Sequence, residues 1–465
     1  MTWFAVDRPL PKLAAQGTSF AISRGALLTA TVLVARYAGV GEYGTFALGL
    51  VVFQAGLFLR DAGLGQALIV LGGEHAGLLW PAFIVTTLVG LLVALLMFLG
   101  ADAITGLLRM PAAGRDLRIL ALAFGVGSLG VASMASLERS LRFGARAVID
   151  VTAYLGLLGV TAIGLTAGWG AEALAWGYVA QGACQALLGI LLVQPWRDRR
   201  AVPIAAFLRY GGLLWLAALL AYLATNVDNA SVGVLGGATS LGIYAFAYSV
   251  GSTVTISLAQ VISRVALPYV SRDHLDTVAI ARSVTVLVPL AVWASLAPAA
   301  LIVAFAPEIM RIVEPGGTAT FVLVLLAVYG VARSFGIISG TVLTGLRLAR
   351  VALVAGVVNV GIMAVAVPPG FVVGGPAGAA AAVLLACVVS VLVQSRHLVR
   401  RGLLDRRRAA GPVLVLVLVV LPVALPGGPA LVVVRAVAAL TAVAVSGGAC
   451  WRLAFGKPAP AVGVG

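Results

Sequence analysis

Apolar segments about twenty residues long recur from one end of this chain to the other, and that recurrence decides what it can fold into. A helix rising 1.5 Å per residue needs ~20 mostly apolar residues to cross a bilayer. Such segments fall at roughly 17–38, 43–68, 80–100, 116–137, 148–168 and 173–193. A second set falls at roughly 211–234, 241–262, 283–305, 318–341, 351–367 and 376–394, and a last pair at roughly 412–426 and 429–450. The chain is therefore expected to be an all-α polytopic membrane protein with about fourteen transmembrane helices. The segment at 412–426 is short for a span and is read as less tilted, extended or re-entrant.

Composition agrees. Of the 465 residues, 62% are hydrophobic and 10% charged, where a soluble domain carries ~25% charged. The net charge of +15 invites a nucleic-acid reading. Arginines concentrated in short loops between spans explain it better, so no nucleic-acid partner is expected and membrane lipid is the surrounding partner. Cys184, Cys387 and Cys450 lie in or beside apolar segments without metal-ligand spacing, and are read as small buried residues. His75, His274 and His397 are unclustered. No Walker A or HExxH pattern occurs, so no ATP-driven engine, metal site or cofactor is expected. Met1–Gly17 holds Asp7, Arg8 and Lys12 with no apolar core of a cleavable leader.

Loop charge sets the expected orientation. With the N-terminus inside, the inner loops hold Arg139, Arg142 and Arg146, then Arg197, Arg199 and Arg200, and finally the basic run Arg396–Arg408. The outer loops at 168–172, 236–240, 368–376 and 426–429 hold no basic residue. Both termini are expected in the cytoplasm of a cell inner (plasma) membrane. Arg36 at the first outer turn, Arg109, Arg115 and Arg118 around the second outer loop, and Arg311 run against this pattern. All loops are short, which leaves no room for a soluble catalytic domain.

The chain echoes itself. Ala38–Ala47 aligns with Gly236–Ala245, each the outer turn of a helical hairpin, and Gly168–Gly177 aligns with Gly374–Val383. A repeat of six spans in parallel orientation is a transporter pattern. The expected layout is an N-terminal six-helix bundle over 1–200, a C-terminal one over 201–395 and a basic linker with two further helices over 396–465.

Few ionisable residues lie at membrane depth, where they are rare and usually face a protein interior or a water-filled cavity. Arg24, Arg60 and Arg333 are the cations, and Asp61 adjoins Arg60. They suggest a cationic cavity for an anionic substrate, since guanidinium is the preferred partner of phosphate. Snorkelling to the headgroups is the competing reading. Thr225, Asn226, Asp228 and Asn229 form a polar knot in the seventh span. Asp228 is a candidate for proton or sodium coupling, or else part of an interhelical hydrogen-bond knot. In the eighth span Tyr244, Tyr248, Ser252 and Thr255 recur at helical spacing, which reads as a wet cavity wall suited to sugar, or as ordinary interhelical packing.

The stretch ARYAGVGEYGTFALGLVVFQAGLFLRDAGLGQALIV, residues 35–70, resembles the opening of prokaryotic polysaccharide (O-antigen type) flippases. These belong to the multidrug/oligosaccharidyl-lipid/polysaccharide exporter superfamily. The shared pattern is a first helix ending in Ala-Arg-Tyr, a Glu-Tyr-Gly turn, and a helix running into Asp-Ala-Gly-Leu-Gly. The hydropathy layout resembles the family over nearly the whole chain.

The resemblance implies a flippase, not an enzyme. Its substrate would be an anionic, undecaprenyl-type lipid-linked oligosaccharide, moved to the outer leaflet by alternating access. It further implies a lateral portal bordered by the first and eighth helices. A monomer is expected. Two rivals are a drug or metabolite cation antiporter of the same superfamily, which would want cavity carboxylates, and an integral-membrane glycosyltransferase or polymerase. Glu308 and Glu314, in a short loop, are the one hint of the latter.

Overall fold

The computed structural model describes residues 9–61, 79–140, 142–197, 204–272, 277–314, 319–345, 348–400, 415 and 429–455. The described residues form helices and short connections. The helices are α1 (Pro9–Tyr37), α2 (Val40–Asp61), α3 (Leu79–Leu99), α4 (Ala101–Leu107), α5 (Gly114–Ser128), α6 (Val131–Arg139), α7 (Phe143–Thr166) and α8 (Glu172–Val193). They continue with α9 (Ile204–Arg272), α10 (Thr277–Ala304), α11 (Ala306–Met310), α12 (Thr320–Gly345), α13 (Ala349–Arg400) and α14 (Pro429–Phe455).

Two of these are helix pairs written as one. In α9 the helical path breaks at Gly237, with φ +70°, and in α13 at Gly374 and Gly375. Glycine carries these breaks because it alone adopts positive φ without a Cβ penalty. The predicted spans therefore fall in helices, except the one at 412–426 and the tail of the second, which lie outside the described residues. Among the described residues, eight helices are long and apolar enough to cross a membrane, or nine if one bent pair counts as a single span.

That bent pair corrects one expectation. The fourth span, read as one helix over 116–137, is α5 and α6 meeting at 48°. The break runs through Ser128, Leu129 and Gly130. The Ser128 hydroxyl donates to Phe124 O at 2.7 Å, and a Cβ on Gly130 would stand 3.0 Å from Ala186 Cα. Ser and Gly at a close helix approach are a common cause of such a bend.

The chain divides into two compact units, Met1–Gly242 and Ile243–Gly465. Within the N-terminal unit, α7 packs between α1 and α8, and α5 packs against α3 and α8. A core of Ala94, Met97, Leu117, Ala121 and Phe124 joins α3 to α5. Within the C-terminal unit, α12 packs against α13 and α10, and α14 covers α10.

The echo between 38–47 and 236–245 has a structural counterpart in the N-terminal unit. Gly39 has φ +92° and its sequence-aligned partner Gly237 has φ +70°. The segments that follow these two turns lie against each other. Gly44 faces Ala238, and Gly242 faces Val40. In the alignment Val40 corresponds to Ala238 and Gly44 to Gly242, so the contact is reciprocal, as a local twofold requires.

Charges at the ends of α4, α5 and α8 are tied down in pairs. Arg118 bridges Asp102 at 2.5 Å and Arg115 bridges Glu172 at 2.9 Å. Two of the arginines that ran against the loop-charge rule are thus matched to acids. Glu42 accepts a hydrogen bond from Ala171 N at 3.1 Å, and Thr45 donates to the buried Asp116 at 2.8 Å. These bonds fasten the start of α2 to the starts of α5 and α8.

Candidate functional site

In the N-terminal unit, Arg24 sits half-buried on α1 with its guanidinium 5.2 Å from the centre of the Phe20 ring. The ring four residues earlier is its helical neighbour, and a ring face attracts a cation. Arg60, at the end of α2, is buried. Its guanidinium lies 5.1 Å from the Phe124 ring and donates to Ser128 Oγ at 3.4 Å. Arg60 is thus held inside the unit against the bend between α5 and α6. Asp61 is the last residue of α2, and its side chain lies outside the described residues.

The polar knot of the seventh span joins α9 to α2. Asn226 is buried, and its Nδ2 lies 3.2 Å from Gln54 Oε1, 3.1 Å from Tyr222 O and 3.0 Å from Thr225 Oγ1. An amide nitrogen has two hydrogens, so these three acceptors share them. Tyr222 donates to Val51 O at 3.3 Å and stacks on Phe58 with ring centres 6.1 Å apart. Asn229 Nδ2 reaches Thr225 O at 3.5 Å, within its own helix. Asp228 is 1% exposed beside this knot.

In the C-terminal unit, the predicted hydroxyl stripe lies in helix packing. Tyr244, Ser252 and Thr255 are buried. Ser252 Oγ donates to Tyr248 O at 2.7 Å, and Tyr248 lies with its ring centre 6.5 Å from Tyr244 and 6.1 Å from Tyr329. Thr255 O accepts from Ser295 and Ser334, each at 3.2 Å. A Cβ at Gly330 would stand 3.0 Å from Ser252 Cα. The missing side chain at Gly330 lets α12 press onto this stripe.

That seam fixes where Arg333 goes. Gly330 and Ser334 point at α9, so Arg333 occupies a different face of α12. The same face carries Gly336, Ile337, Gly340 and Thr341, at the i, i+3, i+4, i+7, i+8 spacing of one helix side. It borders a cavity of about 490 Å³. The opposing wall comes from α13, with Cys387, Ser390, Val391 and Gln394 at the same helical spacing, and Ser263 of α9 and Ala352 complete it.

The lining is mixed. Ser263 and Thr341 share a hydrogen bond of 2.5 Å, and Ser390 donates to Ala355 O at 2.9 Å. Gln394 is 7% exposed, and its Oε1 has no hydrogen-bond partner. The lining residues include one arginine and, among the described residues, no carboxylate. Among the described residues, no group of three or more His, Cys, Asp or Glu could hold a metal ion.

The structure brings Arg333 together with polar residues the sequence reading did not single out. It places Arg24, Arg60, Asn226 and Asp228 in the N-terminal unit, and Tyr244, Tyr248 and Ser252 in a packing seam. Gln54 and Gln394 were missed. Gln394 lies at the end of its span beside the basic run, where a polar residue looks like part of the loop. The signal for it was its spacing of four and seven residues from Ser390 and Cys387.

Membrane-length helices that enclose buried arginine and amide side chains define the class of multi-pass integral membrane proteins. The sequence profile of the family described as "Polysaccharide biosynthesis protein" matches residues 33–344, and the chain belongs to that family. It is 26% identical over 259 residues to the "Lipopolysaccharide biosynthesis protein WzxC" of Escherichia coli (strain K12), covering 54% of this chain and 52% of that protein. It is 23% identical over 223 residues to the "Teichuronic acid biosynthesis protein TuaB" of Bacillus subtilis (strain 168), covering 46% of each. The chain thus spans about half the length of the curated relatives it matches.

The fold has solved counterparts. The solved structure of the lipid II flippase MurJ, in an inward closed conformation, superposes with a TM-score of 0.72 at 14% identity, over 94% of this chain and 98% of that one. An inward-facing multidrug resistance MATE family transporter superposes with a TM-score of 0.62 at 16% identity, over 84% and 94%.

Proposed function

We propose that this protein is a flippase for an anionic lipid-linked oligosaccharide of the undecaprenyl type. It would carry the headgroup from the cytoplasmic to the outer leaflet for cell-surface polysaccharide synthesis. The supporting observation is the Arg333 cavity, set in a chain of a polysaccharide biosynthesis family. A phosphate anion in hydrocarbon is prohibitively costly without compensating charge, and a guanidinium supplies that charge with a forked donor geometry. The absence of carboxylates among the described lining residues favours an anionic substrate over the cationic cargo of an antiporter.

In this reading Arg24 in the N-terminal bundle and Arg333 in the C-terminal one compensate the substrate charge, while Arg60 holds the α5–α6 bend. The bundles, over 1–200 and 201–395, alternate access, and 396–465 adds a basic linker and two helices. Both termini are cytoplasmic, the chain acts as a monomer, and Asp228 couples transport to protons or sodium. No bond is made or broken. The test is purified protein in liposomes carrying fluorescent lipid-linked oligosaccharide, scored for headgroup movement between leaflets. The reading predicts transfer in protein-containing liposomes only, and equal, slow movement with and without protein would contradict it.

A further inference from the structure

The last helix carries a buried charge that the described residues leave unanswered. Arg435 on α14 is 8% exposed, and its Nε has no hydrogen-bond partner. Among the described residues it makes no ion pair, hydrogen bond or ring contact. Arginine does not shed its proton in a protein, so the usual escape of a buried ionisable group, neutralisation, is closed to it. A buried charge without a counter-charge is strongly destabilising. The site is complete only with an anion in it.

The burial is that of a helix seam. Arg435, Ala439, Ala442 and Ser446 are all buried, at the i, i+4, i+7, i+11 spacing of one helix side. Val437, Leu440 and Val445 are exposed and form the other face. Cys450 continues the buried side, and its Sγ lies 3.9 Å from Leu290 O of α10, the helix that α14 covers. Arg435 therefore enters the α10–α14 seam near the N-terminal end of α14.

Its level narrows the choice of anion. The 27 residues of α14 span ~40 Å, the thickness of a bilayer with its headgroups, of which ~30 Å is hydrocarbon. The residues from Pro429 to Arg435 take up ~9 Å of that length. The Cα of Arg435 thus lies a few ångström inside the hydrocarbon boundary, and helical side chains lean toward the helix N-terminus, here toward the headgroup phosphates. Glu308, on α11 just past α10, is an acid of the same unit. Its Oε2 is itself buried without a partner, so the two charges are not joined.

We propose that the α10–α14 seam at Arg435 binds the phosphate of a bilayer glycerophospholipid, held as a structural ligand and not carried as cargo. A guanidinium takes two phosphate oxygens at once, and the acyl chains lie along the exposed apolar face of Val437, Leu440 and Val445. The proposal stands apart from the flippase reading, since it needs only that α14 crosses the bilayer.

The test uses the purified full chain, stripped of lipid in detergent and titrated with dioleoyl phosphatidylglycerol. Native mass spectrometry reads binding, and thermal unfolding reads protection. Dioleoylglycerol supplies the same chains without phosphate, and inorganic phosphate supplies the anion without chains. Wild-type protein is expected to bind phosphatidylglycerol at least about tenfold more tightly than dioleoylglycerol. Arg435→Leu should erase that advantage, and Arg435→Lys should keep part of it, having the charge without the fork. Arg435→Leu also carries a sign that a packing role does not produce. Without lipid it removes an unpaired buried charge and should melt at or above wild type, whereas with phosphatidylglycerol wild type should melt above it.

Equal binding of phosphatidylglycerol and dioleoylglycerol by wild type would overturn the site, as would unchanged phosphatidylglycerol binding in Arg435→Leu. Protection by inorganic phosphate as strong as by phosphatidylglycerol would mark a soluble-anion site and overturn the lipid assignment. Arg435→Leu melting below wild type by the same margin with and without lipid would show that a protein group such as Glu308 holds the arginine, and would also overturn it.

Discussion

Gly44 and Gly242 occupy equivalent positions on the two sides of the α2–α9 crossing, and neither tolerates a β-carbon. At Gly44 it would fall 1.8 Å from Ala238 O, and at Gly242 it would fall 2.0 Å from Val40 O. Both obstacles are backbone, which cannot swing aside as a side chain can. Gly44→Ala and Gly242→Ala are therefore expected to destabilise the protein by about 1–3 kcal/mol, the usual range for overpacking. Gly41→Ala is the control, because its Cβ would stand 3.7 Å from Thr239 Oγ1, an ordinary contact. Thermal unfolding in detergent decides it. Equal melting of Gly44→Ala and Gly41→Ala would contradict the crossing.

The bond between Asn226 and Gln54, 3.2 Å long, ties α9 to α2 inside the N-terminal unit. Polar pairs between membrane helices couple weakly, about 0.6 kcal/mol on average and up to about 1.7. A double-mutant cycle with Asn226→Ala and Gln54→Ala is expected to give a coupling in that range. A coupling of zero would show that Asn226 is satisfied by Tyr222 O and Thr225 Oγ1 alone.

Much of this was legible beforehand, for identifiable reasons. Hydropathy located the spans because each must carry its own apolar length through lipid. The aligned turns at Gly39 and Gly237 were legible because positive φ leaves few residue choices. The bend at Ser128–Gly130 was not, since glycine in an apolar segment is tolerated in a straight helix as well as at a break. The stripe of Tyr244, Ser252 and Thr255 shows a deeper limit. Periodicity tells that polar residues share a face, and cannot tell whether that face meets a cavity or another helix. The answer lay in Gly330, on a helix that begins more than fifty residues further along the chain. The partners of Arg60 were illegible for the same reason: Phe124 and Ser128 are a tertiary pairing.

Asp228, 1% exposed, is the proposed coupling group. A buried carboxyl in a membrane protein is a default functional candidate. Asp228→Asn keeps the shape and removes the titration. It is expected to lower gradient-driven transport by about tenfold or more while leaving expression and the gel-filtration profile intact. Transport with unchanged dependence on the proton or sodium gradient would remove Asp228 from the coupling scheme.

The proposed orientation rests on the inner-loop arginines. In a background lacking Cys184, Cys387 and Cys450, Leu404→Cys is expected to be labelled only from the cytoplasmic side. Labelling by an impermeant reagent from outside would reverse the topology, and with it the direction of entry into the Arg333 cavity.

The central claim is that half-buried guanidinium charge carries an anionic lipid-linked headgroup through the membrane. The most direct measurement is headgroup transfer of a fluorescent lipid-linked oligosaccharide in liposomes by wild-type, Arg333→Lys and Arg333→Ala proteins at equal reconstitution. Wild-type protein is expected to transfer the headgroup, Arg333→Lys to do so in part because it keeps the charge and loses the fork, and Arg333→Ala to fall to the protein-free rate. Transfer by Arg333→Ala at the wild-type rate would contradict the claim.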